Sequence, residues 1–442
     1  MSAIAYLVSL TLSVQMCKMR NYLLSILFSL LFLPLSAQHG ADTALCHALA
    51  EQLGVPFSQN NSIVFFASGQ EKFDDLFHTI RQARRSIHLE YFNFRNDSIS
   101  RVLFSLLAEK VKEGVEVRVI FDGFGNSSNN RPLRKRHLDT IRSRGIEIYE
   151  YDPVRFPYIN HAIRRDHRKI VVIDGLVAYT GGMNVADYYI KGKPPFGEWH
   201  DLHLRVEGEV VDELQEIFLK FWNRITHQDV HGEQYYTGGE KASRHFSFAT
   251  SDTTQTAGSK LVGVVNRGPG SPRRIIHDTF VQIIDSTHTS LQIINPYFTL
   301  CPHLRKALRR ACERGVDVEI MISRKSDIPI TPHIVLHAAH RLMKHGARIW
   351  VYEGGFHHSK VLVADSTVVF IGSSNLDSRS LSFDYECNLV IADAAASRQI
   401  RCIFERDKTT RSFLLTPETY KTRYSRCERF AAWFWQFLTR FV

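Results

Sequence analysis

The stretch His167-Arg168-Lys169-Ile170-Val171-Val172-Ile173-Asp174 decides how this chain is interpreted, because its pattern occurs twice. The second copy is His358-Ser359-Lys360-Val361-Leu362-Val363-Ala364-Asp365. A glycine follows each aspartate seven positions later, at Gly181 and Gly372. Two matches to one spacing in a single chain indicate an internal repeat and not a chance motif.

Each motif begins a predicted buried strand, since the four residues after the lysine are apolar in both copies. Side chains alternate along a strand, so the histidine and the lysine share one face. An ammonium suits a phosphoryl oxygen. One histidine can attack phosphorus, and the other can protonate the leaving oxygen and deprotonate the incoming alcohol or water. The two copies predict one phosphodiester site whose catalytic candidates are His167, Lys169, Asp174, His358, Lys360 and Asp365.

The duplicated motif resembles that of the phospholipase D superfamily, over about residues 60–405. The resemblance implies that Asn184 and Asn375, each 17 residues after its histidine, bind the substrate phosphate together with Ser373. It also implies that the carboxylates of Asp201 and Glu386 hold the histidine rings. The motif's own aspartates are then interpreted as structural braces more than as chemistry.

The flanking sequence resembles bacterial cardiolipin synthases, most strongly in Gly372-Ser373-Ser374-Asn375-Leu376-Asp377-Ser378-Arg379-Ser380-Leu381. One departure is Asp384, where those enzymes usually carry asparagine. The resemblance implies a phosphatidyltransferase that makes cardiolipin from two phosphatidylglycerols and releases glycerol through a phosphohistidine. By family tendency His167 is the nucleophile, although the near-symmetry of the two copies leaves this assignment open.

Three other functions compete with this interpretation. A phospholipase D would let water resolve the intermediate, and the motifs do not distinguish water from an alcohol. A nuclease would use the basic surface, but the export-like N-terminus, the aromatic C-terminus and the synthase-like text argue against nucleic acid. A non-catalytic lipid-binding protein would not need both histidines and both lysines. No cofactor and no metal site are expected, because no residue cluster has convincing metal-ligand spacing.

The repeat extends beyond the motifs. Gly114-Val115-Glu116-Val117 matches Gly315-Val316-Asp317-Val318 at an offset of 201 residues, whereas the histidines are 191 apart. The first half therefore carries ten extra residues, predicted to form a loop that includes residues 152–158. Strand-like and helix-like runs alternate, which predicts an α/β fold of two pseudo-twofold-related domains, each a mixed sheet covered by helices. The helical runs at 98–113 and 302–314 are predicted to end at the glycines Gly114 and Gly315. The predicted domains are 60–227 and 261–410, joined by a linker at 228–260.

The composition and the two ends suggest a membrane partner. A net charge of +10 suits an anionic partner, either a phospholipid surface or nucleic acid. The resemblance to cardiolipin synthases implies phosphatidylglycerol as the lipid, and the oligomeric state stays open. Residues 1–37 are predicted to be an export signal or a short membrane anchor, which would place the enzyme at the cell envelope. The tail at 411–442 is rich in aromatic residues. It fits an interfacial helix or a last helix docked on the domain.

Overall fold

The computed structural model describes residues 43–154, 164–237, 260–268, 270–272 and 274–437. The predicted leader at 1–37 and most of the predicted site-mouth loop lie outside these residues, as does much of the predicted linker. Met1–Ala48 form one unit, of which the start of helix α1 (43–53) is described, and Leu49–Val442 form the other. Everything below concerns the second unit.

Strands alternate with helices along both halves, as the sequence predicts. The strands of the first half are β1 (Phe57–Phe66), β2 (Ser86–Tyr91), β3 (Glu116–Asp122), β4 (Glu147–Tyr151), β5 (Lys169–Ile173), β6 (Val177–Gly181), β7 (Glu198–His200) and β8 (His203–Glu207). Those of the second are β9 (Lys260–Arg267), β10 (Ser290–Ile294), β11 (Asp317–Ser323), β12 (Arg348–Tyr352), β13 (Gly355–His357), β14 (Val361–Ala364), β15 (Val368–Gly372), β16 (Glu386–Ala392) and β17 (Ser412–Leu415).

The helices cover both halves of the sheet. They are α2 (Gly69–Gln82), α3 (Ser98–Lys112), α4 (Gly123–Ser127), α5 (Lys135–Arg142), α6 (Tyr188–Lys191), α7 (Val210–Thr226), α8 (Ile275–Ser286), α9 (Pro302–Glu313), α10 (Thr331–Met343), α11 (Ser378–Ser382), α12 (Ala394–Arg411), α13 (Pro417–Thr422) and α14 (Arg426–Trp435). Helices α3 and α9 end just before Gly114 and Gly315, whose φ values of 89° and 87° allow the chain to turn away. The predicted glycine ends of both helices are confirmed.

One sheet runs through both halves, and its order reveals the repeat. Strands β1 and β9 pair antiparallel at the centre. Outward from this pair the order is β8-β6-β5-β2-β3-β4 on one side and β16-β15-β14-β10-β11-β12-β17 on the other. Strands in equivalent positions come from equivalent places in the two half-sequences. The sheet contains both parallel and antiparallel pairs, so the predicted mixed α/β fold with two related repeats is confirmed.

The core joins the halves as well as filling them. Alternate residues of β5 point to opposite faces: Val171 and Ile173 pack with α2 and α3, while Ile170 and Val172 face the layer that contains α7. That second layer is continuous with α12 and with apolar residues of β9, β14, β15 and β16. Burial of apolar area of this kind stabilises the contact between the halves by roughly 25 cal/mol per Å².

Two parts of the chain complete the description. The beginning of the predicted linker forms a 3₁₀ turn at Glu233–Tyr235, and Tyr235 is buried near His88. At the other end, α14 buries Ala432 and pairs Glu428 with Arg324 at 3.2 Å. Its outer face exposes Phe430, Trp433 and Phe434, with Phe437 just beyond. No helix among the described residues is long and apolar enough to cross a membrane.

Candidate active site

The two motif histidines lie in one cleft between the halves, although they are 191 residues apart. The cleft has a volume of about 580 Å³. Asn184 and Asn375 line it beside His167 and His358. The sequence repeat thus brings both copies of the motif to one place, as expected. Sequence analysis did not identify several other side chains of the cleft wall: Phe92, Arg95, Phe124, Tyr188, Trp199, Tyr297 and Asp327.

Each histidine is held by the other half of the chain. The N–H of His167 donates to the carbonyl of Tyr385 at 2.9 Å, and its Nδ1 lies 3.1 Å from Oε1 of Glu386. In the same way the N–H of His358 donates to the carbonyl of His200 at 2.6 Å, and its Nδ1 lies 2.7 Å from Oδ2 of Asp201. Sequence analysis identified both carboxylates, but their spacing does not reveal this exchange.

The carboxylates fix which ring nitrogen carries the proton. An ionised carboxylate only accepts hydrogen bonds, so Nδ1–H of each ring points to its carboxylate and Nε2 is left for chemistry. Burial opposes ionisation of Asp201, but the charges of Lys360 and His358 outweigh it and hold the pKa of that carboxyl below its ordinary value. Burial raises the pKa of the Glu386 carboxyl. The carboxyl group that holds His358 therefore ionises more readily than the one that holds His167.

The pKa values of the two histidines also differ. Burial, assisted by the charge of Lys169, lowers the pKa of His167 well below its ordinary value. Burial and Lys360 also lower the pKa of His358, but Asp201 opposes the shift. Without substrate both rings are neutral near pH 7, and His358 is the one more readily protonated. Because a neutral imidazole is the nucleophilic form, this difference favours His167 as nucleophile and His358 as acid.

Both motif lysines are buried behind the histidines. The ammonium of Lys169 donates to the carbonyl of His167, and that of Lys360 donates to the carbonyl of His358. Burial lowers the pKa of Lys169 to about 7 and that of Lys360 to about 8. The two lysines therefore lie at the base of the cleft, where a bound anion would stabilise their protonated forms.

The side-chain amides of Asn184 and Asn375 are buried, at 5% and 6% exposure, yet incompletely bonded. Within the described residues, neither Oδ1 has a hydrogen-bond partner. Half a turn of each amide would present its NH₂ group instead. Buried polar groups without a partner cost stability, so these two are suited to a ligand in the cleft.

Ser373 and Gly182 occupy equivalent positions but face different carboxylates. The Ser373 hydroxyl donates to Glu386 and is fully buried, and its expected contact with phosphate stays a prediction. A Cβ atom on Gly182 would lie 2.2 Å from Oδ1 of Asp201, which is too close for any side chain. The half with the longer carboxylate thus has serine, and the half with the shorter one has glycine.

The motif aspartates lie at the opposite end of their strands from the histidines. Asp174 accepts hydrogen bonds from the backbone N–H groups of Arg84, Arg85 and Ser86, at 2.8–3.1 Å. Asp365 does the same for residues 288–290. Each carboxylate ties a hairpin to the start of the neighbouring strand, and neither lines the cleft. This geometry fits the brace role expected from the resemblance, while direct participation in chemistry has no structural support.

A buried ionic network that sequence analysis missed lies beneath the cleft. The guanidinium of Arg165 pairs with Asp122 at 3.0 Å, and the Arg165 N–H donates to Asp384. Asp384 also pairs with Arg379 at 3.2 Å. The one signal of this network in the sequence was Asp384 itself, which stands where cardiolipin synthases usually carry asparagine. In the structure Asp384 connects the two halves through its bond to Arg165. Two further histidines lie close to the motifs in sequence. His357 is buried against Asp407, and His161 lies outside the described residues.

Among the described residues, no group of three or more His, Cys, Asp or Glu side chains is arranged to hold a metal ion. Positively charged side chains at the cleft are the two motif lysines behind it and Arg95, Lys193 and Arg379 in its wall.

A duplicated sheet that brings two His–Lys pairs into one cleft defines the phospholipase D class of proteins, and comparison with known proteins narrows it. The family described as "Cardiolipin synthase, PLD-like domain" matches residues 76–222 and 280–408. The chain is 33% identical over 369 residues to a cardiolipin synthase of Oceanobacillus iheyensis, covering 83% of this chain and 72% of that protein. It is 34% identical over 366 residues to cardiolipin synthase 2 of Staphylococcus epidermidis, covering 82% and 71%.

The chain therefore belongs to the cardiolipin synthase, PLD-like family, and it is an enzyme of the phosphatidyltransferase class. Among solved structures, a phosphatidylserine synthase of Haemophilus influenzae has the same fold, with a TM-score of 0.65 at 13% identity. The match covers 90% of this chain and 99% of that structure.

Proposed function

We propose that the protein makes cardiolipin from two phosphatidylglycerols, releasing glycerol, through a phosphohistidine intermediate at the cleft. The observation that carries the proposal is the exchange of carboxylates between the halves. It leaves two imidazole Nε2 atoms in one cleft above two buried lysines, with the pKa of both rings lowered and that of His167 lowered the more. The relatives named cardiolipin synthase support the choice of lipid substrates.

In the proposed first step, Nε2 of His167 attacks the phosphorus of phosphatidylglycerol. A bond forms between nitrogen and phosphorus, and the bond from phosphorus to the head-group glycerol oxygen breaks. Protonated His358 gives its Nε2 proton to that oxygen, and glycerol leaves. Because the phosphodiester brings a negative charge into the cleft, its binding raises the pKa of His358 and promotes uptake of this proton.

In the proposed second step, a hydroxyl of another phosphatidylglycerol attacks the phosphohistidine. His358 takes the hydroxyl proton, the new oxygen–phosphorus bond forms, and the phosphorus–nitrogen bond breaks, which restores neutral His167. Lys169 and Lys360 offset the charge on the non-bridging oxygens, and the amides of Asn184 and Asn375 donate to them. Fixed donors of this kind stabilise charge in the transition state without reorganisation.

The test is product analysis after incubation of the purified full chain with phosphatidylglycerol vesicles. Lipid mass spectrometry should show cardiolipin, with free glycerol in equal amount. Phosphatidic acid as the main product would mean that water is the acceptor and would overturn the transferase assignment. His167→Asn and His358→Asn should each remove nearly all product, since both groups act in one cycle. The exposed His231 provides a matched control, and His231→Asn should leave the rate unchanged.

A further inference from the structure

A second pocket, of about 260 Å³, lies on the other side of the chain segment that braces His167. Its wall contains three arginines from three separate parts of the fold: Arg164 just before the first motif, Arg224 near the end of α7, and Arg267 at the end of β9. The wall also contains Ser271, Ser382 and Phe383. Three guanidinium groups that line one cavity are suited to binding an anion.

Two of these arginines have no anionic partner among the residues that the structure describes. Within the described residues, no carboxylate lies within ion-pair distance of Arg164 or Arg224, and neither guanidinium donates a hydrogen bond. Arg267 is held in place, because its guanidinium donates to the carbonyls of Ser382 and Asp384. Burial lowers the pKa of Arg267, the carboxylates of Asp384 and Glu386 oppose that shift, and the charge of Arg164 adds to it. A bound anion would offset the charge of Arg164 at this site.

The pocket and the catalytic cleft share a wall. Ser382, Phe383 and Tyr385 face the pocket, whereas Asp384 faces the cleft and Glu386 holds His167. A ligand of the pocket would therefore lie next to the reacting phosphate, separated from it by a single strand of chain. The Phe383 side chain is 43% exposed at the edge of the pocket. An apolar ring beside three cations suits an amphiphile better than a free inorganic ion.

We propose that Arg164, Arg224 and Arg267 bind the phosphate group of a second anionic phospholipid, the acceptor, while the first reacts at His167. The inference rests on the proposed function for the identity of the acceptor. The binding site itself follows from the arginines and the shared wall. Charge-assisted hydrogen bonds from guanidinium to a phosphate are strong and directional, so this pocket would hold the acceptor's phosphate beside the wall that it shares with the cleft.

The test measures binding without turnover, in the full chain carrying His167→Asn. Short-chain dihexanoyl phosphatidylglycerol, kept below its micelle concentration, is titrated calorimetrically into this protein. It is also titrated into the same protein with Arg164→Gln and Arg224→Gln added. The parent should bind two equivalents. The arginine variant should bind one, with the second site weakened roughly tenfold or more. Both arginines are exposed, and a thermal melt checks that the fold is retained.

Arg101→Gln with Arg144→Gln in the same background is the matched control, because both arginines are exposed and line neither pocket, and their replacement removes the same two charges. This control should leave both equivalents in place. Equal binding of the lipid by parent and arginine variant would overturn the proposal. Titration with inorganic phosphate distinguishes the source of the phosphate group. If inorganic phosphate fills the pocket as tightly as the lipid does, the lipid assignment is wrong. A failure to form cardiolipin in the product assay would leave this stoichiometry unchanged, so the two proposals fail separately.

Discussion

Residue by residue, the two halves are not identical at the cleft, and the differences compensate one another. The pair Ser373 and Glu386 in one half corresponds to Gly182 and Asp201 in the other. Glycine leaves the room that the shorter carboxylate needs to lie close to the backbone, and serine supplies a hydroxyl to the longer one. The position of each carboxylate therefore depends on the residue that lies fifteen positions after the motif histidine of the same half, which is Gly182 for Asp201 and Ser373 for Glu386.

Gly182→Ala should impair catalysis by displacing Asp201. The added Cβ would lie 2.2 Å from Oδ1 of Asp201, so the carboxylate that holds His358 must shift. A misplacement of about 1 Å in a catalytic group costs roughly 100-fold in kcat. Steady-state kinetics with a soluble phosphodiester measure the loss. Gly315→Ala is the control, because its Cβ meets open space and its positive φ strains only the local turn. A wild-type rate in Gly182→Ala would mean that Asp201 does not position His358.

The buried lysines predict an alkaline limit to activity. A lysine is charged below its pKa, and the values for Lys169 and Lys360 in the empty cleft are about 7 and about 8. The cation pair is therefore complete at lower pH and is lost as pH rises through these values. We expect kcat/KM for a soluble phosphodiester to fall above about pH 8. Lys169→Arg keeps its charge throughout this range and should move the decline upward. A decline that begins only near pH 10 would contradict the prediction.

At the level of strands and helices, some features follow from sequence and others do not. Apolar runs predicted the motif strands, and glycines predicted the ends of α3 and α9, because these depend on local periodicity and backbone freedom. The exchange of carboxylates could not be predicted: Glu386 lies closer in sequence to His358 than to His167, which it holds. A repeat reveals which residues are equivalent but not which half each one contacts. The arginine pocket likewise assembles from three distant segments.

The hairpin braces predict a loss of stability without a loss of chemistry. In Asp174→Asn the NH₂ group would meet the N–H donors of Arg84, Arg85 and Ser86, at a cost of about 1–3 kcal/mol in the free energy of unfolding. Urea denaturation measures this loss, and the rate per folded molecule should be retained. Asp229→Asn, at an exposed carboxylate, should change neither quantity. A rate that collapses while stability is unchanged would instead give Asp174 a chemical role.

For the whole molecule, the shared core and the exchanged braces make the two halves interdependent. Residues 60–235 and 255–442, produced separately, should each be inactive, because each would hold a histidine without its carboxylate. Each would also expose the apolar layer that joins α7 to α12. Activity in a half shown to be monomeric by sedimentation would contradict this. Mixing the halves tests the same point, since any recovered activity must require both.

The exposed face of α14 predicts a contact with the lipid surface. Phe430 and Phe434 are 63% and 47% exposed and stack on each other, and burying one such ring is worth roughly 1.5–3 kcal/mol at most. Phe430→Ser with Phe434→Ser should weaken binding to anionic vesicles by roughly tenfold or more. Co-sedimentation measures this. Val102→Ser, at another exposed apolar site, is the control. Unchanged vesicle binding would leave α14 as a docked helix only.

The exchanged braces also set the moment at which the enzyme can begin to work. Glu386 follows His167 by 219 residues, and a ribosome adding roughly 5–20 residues per second needs on the order of ten to forty seconds to synthesise that interval. Throughout it the nascent chain carries the reactive imidazole without its carboxylate. On the proposed mechanism, a chain still in synthesis beside a membrane cannot attack the lipids around it, and premature termination before Glu386 yields an inert fragment and not an unregulated lipase.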